Sequence, residues 1–126
     1  MTTRGVVAED DLDIAVVIVE ALAADGSLEP IVVSNGALVI DAVMNSGARL
    51  LILDVRMPGA TGIDGYDILC DHPAFRHIPV LFVTADPELA HRALPALGPR
   101  DVIAKPFDLD DLVARARGLL GEALAA

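Results

Sequence analysis

The stretch Leu50-Leu51-Ile52-Leu53-Asp54-Val55-Arg56-Met57-Pro58-Gly59 decides how the chain is read. Four consecutive apolar residues bounded by turn-forming residues match a strand buried on both faces, as parallel sheets require. The run closes on a carboxylate, Asp54, which is costly to bury without a partner. Pro58 fixes φ and Gly59 allows positive φ, so Met57-Pro58-Gly59 reads as a rigid turn.

Similar short apolar runs recur on either side at Gly5 to Ala8, Ile31 to Val33, Val80 to Val83 and Val102 to Ala104. Between them lie segments of helical length, at Leu12 to Ala24, Ala37 to Ser46, Ile63 to Asp71, Pro87 to Leu97 and Leu109 to Leu124. Asn35 and Asp108 suit N-caps, Pro87 suits a first helical turn, and Gly26, Gly47 and Gly98 are placed to follow helix ends. Ile14 to Val19 is β-branched enough to pass for a strand. Its apolar segment, however, runs between an Asp cluster and Asp25-Gly26, too long for a typical strand, and is read as a helix. If Ile14, Val17, Ile18 and Ala21 face the sheet, Val16, Val19 and Ala23 form an outer stripe, either a partner or dimer surface or merely scattered exposed side chains. Five strands alternating with five helices give an α/β fold, a parallel sheet covered on both faces.

The chain of 126 residues suits one domain spanning 1–126, with no repeat, linker or low-complexity tract. A net charge of −10 argues against direct nucleic-acid binding, which needs a basic footprint. No apolar run is long enough to span a bilayer, and Met1-Thr2-Thr3-Arg4 lacks the regions of a signal peptide. The single Cys70 cannot form an internal disulfide, and the expected location is the cytoplasm. The start at Met1 is taken to favour a whole gene product. Of the nine basic residues only Lys105 is lysine, which singles it out as a candidate chemical requirement.

Ligands of open parallel sheets bind beyond the carboxyl ends of the strands. Glu9-Asp10-Asp11 follows the first strand and Asp54 ends the third, so adjacent strands bring carboxylates to one edge. Close carboxylate pairs repel by roughly 1 to 4 kcal/mol. A divalent cation relieves that repulsion, and an all-oxygen set with few carboxylates suits Mg²⁺. Asp11 or Asp13 can equally be an N-cap of the first helix.

Four stretches taken together resemble the receiver domains of two-component signalling: Val6 to Asp10, Leu51 to Gly59, Ile78 to Ala85, and Lys105-Pro106-Phe107. The resemblance covers nearly the whole chain and implies a flavodoxin-like sheet in the order 2-1-3-4-5, like that of the chemotaxis receivers. It implies that Asp54 accepts a phosphoryl group from a histidine kinase or a histidine phosphotransfer protein, with Mg²⁺ held by Asp10, Asp54 and the backbone carbonyl of Arg56. Glu9 is implied to act through water, Lys105 to pair with a phosphoryl oxygen, and Thr84 to donate to another. The implied function is that of a single-domain response regulator acting through protein contacts or phosphorelay, with self-phosphorylation but no enzymatic turnover, no nucleic acid or membrane partner, and a possible homodimer.

Two features depart from the family pattern. Val102 stands where many receivers carry a switching aromatic, and Pro95 is expected to kink or shorten the fourth helix. A receiver-like module that binds without phosphorylation is one alternative reading. A phosphatase of the haloacid dehalogenase type is another, although Arg56 stands where that family generally needs a second Asp.

Overall fold

In a computed structural model, which describes residues 2–24 and 26–125, the strands are β1 (Thr3–Ala8), β2 (Leu28–Val33), β3 (Leu51–Leu53), β4 (Val80–Thr84) and β5 (Val102–Ala104). The helices are α1 (Leu12–Ala23), α2 (Val39–Ser46), α3 (Gly62–Cys70), α4 (Pro87–Ala93) and α5 (Leu109–Ala125). The five strands form one sheet in the order β2-β1-β3-β4-β5, every pair parallel, as the resemblance implied.

Alternation along the strands divides the core into two layers. Val6, Ala8, Leu51, Leu53, Val80, Phe82 and Val102 point to the face packed by α2, α3 and α4, through Val39, Val43, Leu69 and Ala90. Val7, Leu50, Ile52, Leu81, Val83 and Ile103 point to the other face, against Ile18 and Leu22 of α1 and Leu112 and Ala116 of α5. Each of the large side chains sealed in these layers contributes about 1.5–3 kcal/mol by leaving water. Phe82 is sealed completely and meets Tyr66 edge-to-face at 5.7 Å between ring centroids.

The sequence reading and the structure differ in a few places. β2 begins at Leu28, not Ile31, and carries Pro30, which an edge strand tolerates because it has a single neighbour to bond. Asn35 caps a 3₁₀ turn, Gly36–Leu38, before α2 begins. α4 stops at Ala93 instead of reaching Leu97. Leu94 takes φ −130° and ψ 78°, because the ring of Pro95 disfavours helical geometry in the residue before it. Gly98 therefore does not follow a helix end but opens the 3₁₀ turn Pro99–Asp101.

The phase of α1 also differs. Ala15, Ile18 and Leu22 face the sheet, Val19 is half-buried, and Val17 lies outside with Leu12 and Val16. An all-apolar segment buries whichever side packs best, so its sequence sets no phase.

Candidate functional site

The carboxyl ends of β1, β3, β4 and β5 open at one edge of the sheet. There the backbone N–H of Asp54 donates to the carbonyl of Ala8 at 2.9 Å, and that of Lys105 donates to the carbonyl of Thr84 at 2.8 Å. The N–H of Glu9 donates to the carbonyl of Val33 at 3.0 Å. The ladder thus continues one residue past each strand and fixes where the three side chains start.

Lys105 ties the edge together. Its Nζ donates to Glu9 Oε1 at 2.6 Å and to Asp54 Oδ2 at 2.8 Å, bridging positions that lie 96 and 51 residues away in sequence. The Glu9 and Asp54 side chains are buried, at 2% and 7% exposure, so these are charge-assisted bonds in a water-poor setting. Asp54 Oδ1 accepts the backbone N–H of Arg56 at 3.1 Å, and Glu9 Oε2 accepts that of Asp11 at 3.2 Å. Asp11 itself caps α1, its Oδ1 accepting from the N–H groups of Asp13 and Ile14. Asp13 caps nothing.

Glu9, Asp10 and Asp54 each bring a carboxylate oxygen within 4.8 Å of the others, with Asp10 on the exposed side. Burial pushes the Glu9 carboxyl up to about 7, against the pull of Lys105 and with a smaller push from Asp54. For Lys105, burial works against the charge, but the bonds to Asp54 and Glu9 outweigh it and hold the ammonium above its ordinary value. One cation facing three carboxylates leaves a surplus of negative charge. A hard divalent cation fits this donor set, since compact oxygen ligands from adjacent strand ends are what Mg²⁺ takes.

Thr84 is fully buried at the end of β4. Its hydroxyl is not bonded to Asp54: Oγ1 accepts the backbone N–H of Asp86 at 3.0 Å. The Arg56 guanidinium reaches across the rim to Asp86 Oδ2 at 2.9 Å, and Asp86 Oδ1 caps α4 by accepting from Leu89 at 3.1 Å. The Arg56 hydrogen bond holds the Asp86 carboxyl below the usual carboxylate range. The sequence reading assigned Arg56 a role through its backbone only and assigned Asp86 none. Asp86 did carry a local signal, an N-cap residue directly before Pro87, but its pairing with Arg56 across 30 positions left no trace in the sequence.

Glycine packing holds the edge in shape. A Cβ on Gly62, the first residue of α3, would stand 2.0 Å from the carbonyl oxygen of Asp54. The start of α3 is thus pressed against the backbone of the residue that carries the central carboxylate. On the other flank, beside Lys105, an apolar cleft of about 570 Å³ is lined by Ile14, Val17, Pro106, Phe107 and Leu109, with Asp13 at its margin.

A family model described as "Response regulator receiver domain" matches residues 6–117. The transcriptional regulatory protein BaeR of Escherichia coli O6:H1 is 31% identical over 120 residues, covering 94% of this chain and 48% of that protein. The DNA-binding transcriptional regulator NtrC of Escherichia coli K12 is 36% identical over 116 residues, covering 88% of this chain and 24% of that protein. This chain therefore spans about half the length of BaeR and about a quarter of NtrC. Among solved structures, the signal receiver domain of a histidine kinase from Syntrophus aciditrophicus superposes with a TM-score of 0.83 at 27% identity, covering 96% of this chain and 92% of that one.

Proposed function

From the premise that this chain belongs to the response regulator receiver domain family, as the match over residues 6–117 shows, we propose that it is a phosphorylated signalling switch whose acceptor is Asp54. The observation that carries the reading is the Lys105 bridge to Glu9 and Asp54, set among three carboxylates that converge within 4.8 Å.

The donor is a histidine kinase or a histidine phosphotransfer protein. An Asp54 carboxylate oxygen attacks phosphorus while the phosphorus–nitrogen bond of the donor's phosphoimidazole breaks and the imidazole leaves. The product is an acyl phosphate, reactive enough for the signal to be erased by hydrolysis. In this reading Asp10, Asp54 and the Arg56 backbone carbonyl would hold Mg²⁺ and Glu9 would act through water, as the convergence of the three carboxylates supports. When bound, the ion supplies neutralisation of charge between acceptor and phosphoryl oxygens. Lys105 already touches Asp54 Oδ2, and its compact ammonium on a flexible stem can turn to an added phosphoryl oxygen. The Thr84 hydroxyl keeps its proton free to donate, since its bond to Asp86 uses the oxygen as acceptor.

Output runs through contacts with another protein or onward transfer of the phosphoryl group in the cytoplasm, with a homodimer as one form of that contact. Among the described residues no helix is long and apolar enough to cross a membrane. The test is incubation with acetyl phosphate and Mg²⁺ followed by intact-mass measurement. One added phosphoryl mass is expected, absent from Asp54→Asn and from a metal-free control. No adduct in the wild type under rapid quenching refutes the reading and leaves binding without phosphorylation in its place.

A further inference from the structure

We infer that Arg56 and Asp86 form an exchangeable latch: on phosphorylation the Arg56 guanidinium leaves Asp86 for a phosphoryl oxygen, and the freed Asp86 passes the change to the first turn of α4. The inference rests on the phosphorylation reading above and adds to it a route out of the site.

The geometry places four groups in series. Asp54 Oδ1 accepts from the Arg56 N–H at 3.1 Å, so the two residues move as one turn. The Arg56 guanidinium donates to Asp86 Oδ2 at 2.9 Å. Asp86 then contacts both neighbours of interest. Its backbone N–H donates to Thr84 Oγ1 at 3.0 Å, and its Oδ1 accepts from Leu89 at 3.1 Å as the cap of α4. One residue thus touches the rim cation, the buried hydroxyl of β4 and the helix start.

The charges favour exchange. The Arg56 side chain is 65% exposed and its pair with Asp86 lies at the surface, where such pairs contribute little and part readily. A phosphoryl group on Asp54 brings a charge of about −1.5 to −2 and three acceptor oxygens, and a guanidinium can meet two of them at once. Lys105 already sits between Glu9 and Asp54 inside the edge, whereas Arg56 stands at the exposed rim, held there by Asp86. After exchange Asp86 has lost its cation and faces a new negative group, and a cap residue under that repulsion loosens the turn it holds.

α4 is suited to register this. It is seven residues long, shortened by Pro95, and anchored to the core by Ala90 and the half-buried Leu89, so its cap is a sizeable share of what holds its first turn. The aromatic route used by many receivers is closed, because Val102 has no ring to reorient and its side chain is buried in the core cluster that includes Ala90 of α4.

The test is amide hydrogen exchange of α4 in the intact protein, read beside the intact-mass adduct. The variant is Asp86→Asn, which keeps a good N-cap but loses the charge that holds Arg56. In the wild type, full adduct is expected to speed exchange at Leu89–Ala93 by about fivefold, the factor that a weakened cap gives. Asp86→Asn is expected to form the adduct with α4 exchange unchanged by it. The latch is refuted if the wild type carries the adduct with no change in α4, or if Asp86→Asn responds as the wild type does. Absence of adduct in the wild type fails the phosphorylation reading itself, and the latch with it.

Discussion

Replacing Gly62 by alanine adds one methyl group where the structure has no room for it. The new Cβ would lie 2.0 Å from the carbonyl oxygen of Asp54 and 3.3 Å from Leu53 Cβ, while ordinary contact begins at 3.4 Å. The first gap falls short by about 1.4 Å, and the obstacle is backbone, which has no rotamer to move into. Overpacked sites cost typically about 1–3 kcal/mol, and a backbone obstacle puts Gly62→Ala at or above about 3 kcal/mol. For a domain of this size that lowers the melting temperature by roughly 10–15 °C. The same change at Gly118 or Gly121 meets nothing within 4 Å, and both positions lie inside α5. Helix propensity alone then applies, and each should gain about 1 kcal/mol. Urea unfolding followed by far-ultraviolet circular dichroism reads all three, with equal slopes licensing the comparison. A Gly62→Ala variant within about 0.5 kcal/mol of wild type refutes the argument, a margin that harmless surface changes usually stay inside. So do α5 variants that lose as much as Gly62→Ala. Because the blocked atom belongs to Asp54, Gly62→Ala should also slow phosphoryl uptake, whereas the α5 variants should not.

Three further outcomes are expected. Lys105→Met leaves two buried carboxylates without their cation and should cost about 2–3 kcal/mol in urea unfolding, less if one takes up a proton, with Glu9→Gln in the same chain recovering part of the loss. Thr84→Val keeps the volume but leaves the Asp86 N–H without its acceptor, so stability should fall by about 1–3 kcal/mol and phosphoryl uptake should slow in a stopped mass time course. Burial, followed by contact with Cys70, pushes the Tyr66 phenol from 10.0 to about 12. The unfolded chain therefore ionises first, and the stability this phenol contributes is whole below about pH 10 and lost as pH rises toward 12. Tyr66 is the only tyrosine, so phenolate absorbance should report this directly, and Tyr66→Phe should flatten the alkaline fall in stability.

The strands were legible because a sheet buried on both faces needs nearly continuous apolar runs, and Leu50 to Leu53 or Val80 to Val83 can satisfy little else. Their spatial order was not written in those runs. It came through the resemblance, and the structure has the same order. α1 shows what patterning cannot supply, since Ile14 to Val19 is apolar throughout and only packing chose Ala15 and Ile18 over Val17. At the strand edge, Asp54 and Glu9 stood out as carboxylates at the ends of apolar runs, and Lys105 as the only lysine. The Arg56 to Asp86 contact did not, because each looks like a surface charge in its own loop. The Gly62 contact was equally hidden, since a glycine beginning a helix gives no sign of what lies against it.

The proposed signal is a covalent bond to one side chain, and borohydride trapping reads that bond directly. After acetyl phosphate and Mg²⁺, reduction converts an acyl phosphate to an alcohol, and peptide sequencing by mass spectrometry locates the change. Homoserine at position 54, formed only with Mg²⁺ and lost on prior hydrolysis, is the expected result. Homoserine at another acidic position, or an unreduced adduct on a serine or threonine, contradicts the assignment of Asp54 as acceptor.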